Sequence, residues 1–437
     1  MRLIDIIAIL LSLSALFSWF NQRHLRLPTT IALMLISLLM SLGLLALKPV
    51  APGLEDQMRE LSLSIHFDDA VLHGMLGLLL FAGALQVKLE DLAKQRWIIG
   101  ILASASVIGA TILVGLGSWG LFALIGLDVP LIYCLIFGAL IAPTDPIAVL
   151  GILKGAGAPK SIETKITGES LFNDGIAIVS FLILLGIAAS GQAIELREVV
   201  GLFVKEVLGA LALGALIGWL ANQLLRRVED SKAVVLITLA VAASVFSLAD
   251  RLHLSAPIAV VVAGLLVGHH ARSLAMSSRG RDQLKTFWEL VDEILNAVLF
   301  VMIGLEVLIL NFTGQYLAAG LLAIPLVLLA RLISVGLPIG MMRRFRRFSP
   351  GVVTLLTWGG LRGGVSVALA LSLPAGEVRD TLVAVTYVVV VFSIVVQGLT
   401  LGPVVQAISN RAKPDLAEAG SDPSTTKGWS DGSGASQ

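Results

Sequence analysis

The chain has 437 residues, of which 57% are hydrophobic and only 14% charged, and its mean hydropathy is +0.92. Soluble proteins carry about 25% charged residues, so this composition excludes a soluble enzyme, a nucleic-acid binder and a disordered scaffold, and predicts an all-α integral membrane protein with many spans. Lys and Arg total 31 against 30 for Asp and Glu, a net charge of +1, which predicts no polyanionic partner.

Apolar runs of spanning length recur from end to end. In chain order they are Leu3–Phe20, Pro28–Leu47, Ala70–Val87, Trp97–Leu127, Leu131–Leu153, Ile166–Ala189, Val199–Leu225, Ala233–Leu248, Ala256–His269, Leu290–Leu310, Tyr316–Met342, Val352–Leu373 and Leu382–Ile408. A span needs about 20 residues, and longer ones must tilt. The first run has no small-residue cleavage site behind it and reads as a span rather than a removed signal. The boundary between the eighth and ninth runs rests on Asp250, Arg251 and Pro257. Period-2 alternation is absent, which excludes a β-barrel. The single cysteine, Cys134, lies in the fifth run and allows neither an intramolecular disulfide nor a multi-cysteine metal site.

The basic residues test the count. With the N-terminus outside, the loops and tail assigned to the inside hold twenty-two Lys and Arg and those outside hold six. The positive-inside rule predicts that bias, and a missed span would invert it downstream. Thirteen spans with the N-terminus out and the C-terminus cytoplasmic are expected. Three basic residues stay within spans: Lys205, Arg331 and Arg362. Lys205 is close enough to a span end to snorkel. Arg331 and Arg362 lie deep. The tail from 409 to 437, rich in Ser, Gly, Asp and Lys, reads as disordered and is too short for a nucleotide-binding domain.

Ionisable residues deep in a span are functional candidates. The fifth run contains Ala142-Pro143-Thr144-Asp145-Pro146. Pro143 and Pro146 remove backbone donors and disfavour the helix before them, so the helix should break near Thr144 and Asp145. Freed carbonyls beside a carboxylate make a site of hard oxygen ligands for a cation. In the sixth run, Glu169, Ser170, Asn173 and Asp174 share one helical stripe. Asp174 and Asp145 each lie about eight residues, or about 12 Å, from the inner ends of their helices. Around Arg362, the run Gly359-Gly360-Leu361-Arg362-Gly363-Gly364 weakens a second helix. It marks a second break, where Arg362 offsets the carbonyl ends of half-helices; close glycine packing between helices is compatible with it. Arg331 needs an acid partner in lipid, and Glu169 is the best placed, because Asp145 and Asp174 are better used on a substrate. Glu289, Asp292 and Glu293 open the tenth run. They read either as an acidic funnel that concentrates cations or as acids stabilising a helix N-terminus. His73, His253, His269 and His270 form no metal-ligand constellation.

The two breaks fall in spans five and twelve, seven apart. Spans one to six and eight to thirteen then form two six-helix units of opposite orientation, the inverted repeat of secondary transporters with broken helices crossing at the midplane.

Ala-Pro-Thr-Asp-Pro (142–146), Gly-Glu-Ser-Leu-Phe-Asn-Asp-Gly (168–175), Leu-Asn-Ala-Val-Leu-Phe-Val-Met-Ile-Gly-Leu-Glu (295–306) and Gly-Leu-Arg-Gly-Gly-Val-Ser (360–366) resemble the NhaP-type bacterial sodium/proton antiporters of the monovalent cation:proton antiporter family, over the chain up to about residue 408. The resemblance implies that Asp174 is alternately protonated and cation-bound, and that Thr144 (through its backbone carbonyl), Asp145, Glu169 and Ser170 complete the site. Asn173 matches a position where electrogenic relatives carry a second aspartate, which implies electroneutral exchange of Na⁺ or Li⁺ for H⁺. It further implies a homodimer in the cell (inner) membrane. The moving core would be about residues 97–189 and 316–408, and the dimer and gate part about 1–87 and 199–310. No cofactor and no nucleotide are expected: the chain lacks a Gly-x-x-x-x-Gly-Lys-Ser/Thr loop. A K⁺/H⁺ antiporter on the same scaffold is the nearest rival. An intramembrane aspartyl protease with Asp145 and Asp174 as its dyad, and a passive cation channel, are more distant ones.

Overall fold

Polar backbone groups have no water to bond in lipid, so a spanning chain must satisfy them internally, as helices do. The computed structural model describes residues 2–47, 60, 65–155, 160–191, 196–228, 230–272, 278–310, 313–344, 348 and 351–419; all regular structure among them is helical. Helices occupy each of the thirteen apolar segments. They are α1 (Leu3–Phe20), α2 (Thr29–Leu47), α3 (Phe67–Gln86), α4 (Leu89–Leu124), α5 (Leu131–Ile141), α6 (Pro146–Gly155), α7 (Lys160–Ser190), α8 (Leu196–Leu225), α9 (Ser231–Arg251), α10 (Ala256–Arg272), α11 (Ser278–Glu306), α12 (Gly314–Met342), α13 (Val352–Trp358), α14 (Gly364–Leu371), α15 (Glu377–Phe392) and α16 (Gly398–Ala419). A π-turn, Ser393–Gln397, joins the last two. Among the described residues, nine helices are long and apolar enough to cross a membrane.

Two apolar segments are split where the sequence predicts. Between α5 and α6 residues 142–145 leave the helix, and α6 restarts on Pro146, whose missing N–H is not needed at a first helical position. Between α13 and α14 residues 359–363 are non-helical, and glycine's conformational cost explains why. At the C-terminal end α16 runs to Ala419, past residue 409, where the tail is expected to begin. The rest of that tail lies outside the described residues.

α4 is the central strut of one group. It packs on α5, α7 and α12, and α12 packs on α15. Close approach is built in: a Cβ on Gly138 of α5 would run into the backbone carbonyl of Thr111 on α4. Small residues permit such contacts in lipid, where apolar burial between helices gains little. In a second group α3, α10 and α8 pack in series, and α11 lies on α2 and α3. The groups meet where α10 touches α7 and α11 touches α14. Outward-facing Trp97, Leu124, Leu337 and Met341 are exposed and give the bundle an apolar exterior suited to lipid.

Candidate functional site

Both breaks lie together. The backbone N–H of Asp145 donates to the carbonyl of Leu361 at 2.7 Å, tying the first break to the second. Arg362, 3% exposed, donates through Nη1 to the carbonyls of Ala142 (2.5 Å) and Pro143 (2.9 Å). Its guanidinium therefore covers the negative end of α5, as helix-dipole reasoning predicts. Its own N–H is taken by Ser393 Oγ at 2.9 Å. From the same π-turn Gln397 donates to the carbonyl of Trp358 at 3.1 Å, where α13 stops. Three carbonyl groups at the breaks, those of Ala142, Pro143 and Trp358, are thus satisfied by side chains. At Gly363 a Cβ would stand 3.0 Å from Asp145 Oδ2; glycine there lets the carboxylate lie against the start of α14.

α7 supplies the polar stripe. Asn173 donates to Thr144 Oγ1 at 2.8 Å, and Ser170 Oγ lies 3.1 Å from the same hydroxyl. The unwound segment is thereby fastened to α7. Thr144, Asp145, Pro146, Ser170 and Asp174 all line a cavity of about 70 Å³, together with Asn296 and Ser366. That is room for an ion with a few waters. Asp174 is 7% exposed. A second, larger cavity of about 790 Å³ shares Gly83, Pro146 and Leu171 with the first. Its wall includes Glu289 and Asp292, while Glu293 is outside that wall.

Glu169 faces elsewhere. Its Oε1 lies 2.6 Å from Arg331 Nη1, and both side chains are buried; Arg331 also donates to Ser106 Oγ on α4 at 3.2 Å. The ion pair expected from the sequence is present. The direct ligand role expected for Glu169 has no geometric counterpart here, since Glu169 is not on the cavity wall. Lys205 is exposed on α8, in keeping with snorkelling. Among the described residues no group of three or more His, Cys, Asp or Glu is arranged to hold a metal ion; the oxygens here suit a hard monovalent cation as cargo.

Residues 9–407 match the family described as sodium/hydrogen exchanger, transmembrane. The chain belongs to this family. This exchanger-family chain is 48% identical over 411 residues to the Na⁺/H⁺ antiporter NhaP of Pseudomonas aeruginosa, covering 93% of this chain and 97% of that one. It is 36% identical over 389 residues to the Na⁺/H⁺ antiporter NhaH of Halobacillus dabanensis, covering 87% and 92%. In fold it is similar to the solved sodium proton antiporter MjNhaP1 of Methanocaldococcus jannaschii, with a TM-score of 0.71, 19% identity and coverage of 93% and 99%. Exchanger-family proteins are membrane transporters, not enzymes. Within this family member, sequence reasoning passed over Ser106, Ser393, Gln397 and the side chains of Asn296 and Ser366. The signal was a polar residue in an apolar run, with Asn296 and Ser366 also lying inside the motifs at 295–306 and 360–366.

Proposed function

We propose that the chain is an electroneutral antiporter that exchanges Na⁺ or Li⁺ for H⁺ across the cell (inner) membrane, one cation for one proton. The observation that carries this reading is the set of charges at the crossing. Asp145, Glu169 and Asp174 stand against Arg331 and Arg362. With Asp174 ionised one negative charge is in excess. One proton or one monovalent cation restores balance, and either does so equally well. Burial favours the uncharged form of a carboxylate generally, so protons and cations compete for one place. Exchange follows from that competition without a separate gate for each ion.

On this reading Asp174 carries both ions in turn. Asp145, Ser170 and the carbonyl of Thr144 complete the cation's shell. Glu169 acts through Arg331, holding α7 to α12. Asn173 fixes Thr144 and contributes no charge, which keeps the exchange electroneutral. We extend the reading to thirteen spans in two inverted units, N-terminus outside and C-terminus cytoplasmic, supported by the two breaks seven segments apart and by the bias of Lys and Arg. The group around α4 and α12 would move against the group around α3, α8 and α11, and a homodimer is expected from the motifs at 142–146 and 168–175.

Purified protein in proteoliposomes tests this. Na⁺ or Li⁺ added against a pH gradient should release or take up protons at a rate that ignores an imposed membrane voltage. Flux with K⁺ alone would assign the chain to potassium exchange; a voltage-dependent rate would end the electroneutral reading.

A further inference from the structure

Asn296 sits on α11, outside the broken helices, yet it shares the small cavity's wall with Asp145 and Asp174. It is 2% exposed. Its Nδ2 donates twice one turn back, to the Asp292 carbonyl at 2.7 Å and to Asp292 Oδ1 at 3.1 Å. An ionised carboxylate and a carbonyl only accept, so these contacts fix which way the amide faces. The amide oxygen is left on the other side. It is buried and has no hydrogen-bond partner among the described residues. A buried, unpaired amide oxygen is destabilising unless something comes to meet it. Ser366 Oγ, on the same wall, is also buried and without a partner among the described residues. Two such oxygens around a cavity holding two carboxylates are the donor set a small hard cation takes.

We propose that Asn296 supplies a further cation ligand through its side-chain oxygen, with Asp292 as the positioning residue that turns that oxygen into the cavity. The proposal rests on the sodium/proton reading above and deepens it. It has a structural corollary. Asp292 lines the larger cavity and Asn296 the smaller, so one helical turn of α11 leads from one to the other. A bound ion would also join α11 to α7, linking the two helix groups through the cargo.

The test uses full-length Asn296→Leu, Asn296→Ala and Asp292→Asn in proteoliposomes, with Glu293→Gln, an exposed acid, as the control. Proton flux is followed against Na⁺ and Li⁺ concentration. Both Asn296 variants should raise KM for Na⁺ about tenfold, with kcat within about twofold and an altered Na⁺/Li⁺ ratio of KM values. Asp292→Asn should raise KM by about threefold, because the side-chain acceptor that helps orient the amide is weakened while the carbonyl of residue 292 still holds it. Glu293→Gln should match the parent. If Asn296→Leu does not fold, Asn296→Ala and Asp292→Asn decide by the same criteria. Parent flux with an unchanged KM in the variants, or a fall in kcat alone, overturns the proposal and leaves the antiporter reading standing. No flux from the parent with either cation overturns both.

Discussion

Asp174 reaches the cavity from α7, while Glu169, on the same helix, turns to Arg331. Their removal should therefore have different consequences. Asp174→Asn keeps shape and hydrogen bonding but cannot cycle between charged and neutral. We expect folded protein without cation-driven proton flux; substantial residual flux would remove Asp174 as the carrier. Glu169→Ala and Arg331→Ala each strand a buried charge, which costs about 3–5 kcal/mol. Thermal unfolding in detergent should show both losses, and the double variant should lose less than their sum. Additive losses would mean that the 2.6 Å contact is energetically idle. Much of this was legible in the residues. Polar groups at helical spacing in an apolar run have to face one another or a cavity, and a deep arginine has to find an acid. Ser106 was not legible. It accepts from Arg331, whereas Ser104 bonds the carbonyl of Gly100 in its own helix. Nothing in the sequence separates these two serines, because a hydroxyl can always fall back on its own backbone.

At the scale of the element, the two breaks were legible for opposite reasons. Prolines at 143 and 146 forbid the ladder, and the glycines around Arg362 weaken it. What holds the breaks was legible only in Arg362, expected to offset the freed carbonyls. The π-turn Ser393–Gln397 has no compositional signature, yet it aims Ser393 and Gln397 at the second break. Arg362 is the other half of that support. Hydrogen bonds to charged groups are worth about 1.5–3 kcal/mol. Arg362→Ala, which frees the carbonyls of Ala142 and Pro143, should lower the melting temperature and weaken Na⁺ binding together. Arg362→Lys should recover stability only in part, since an ammonium lacks the planar fork. A variant with unchanged melting temperature would show that water replaces the guanidinium.

For the whole molecule, the helical class, the membrane setting and the crossing of the two breaks followed from composition and punctuation. The packing order did not. Helices apolar on every side carry no stripe that tells a neighbour from lipid, so which of them meet could not be read from their sequences. The proposed competition has a global sign. A site must shed its proton before a cation can enter. Lowering pH should therefore raise KM for Na⁺, by up to about tenfold per unit, and leave the rate at saturating Na⁺ unchanged where the proton gradient is held fixed. A KM independent of pH would mean that the two ions use separate places.

On the proposed reading, the uneven count of charges at the crossing also bears on fidelity. A carrier that is empty and ionised holds one uncompensated charge between apolar helices. Carrying it across the bilayer costs several kcal/mol, and every 1.4 kcal/mol slows a step about tenfold. Such a carrier is arrested where it stands until a proton or a cation arrives. Leak is thus suppressed by electrostatics alone, and the same penalty makes the turnover rate collapse when both cargoes are scarce.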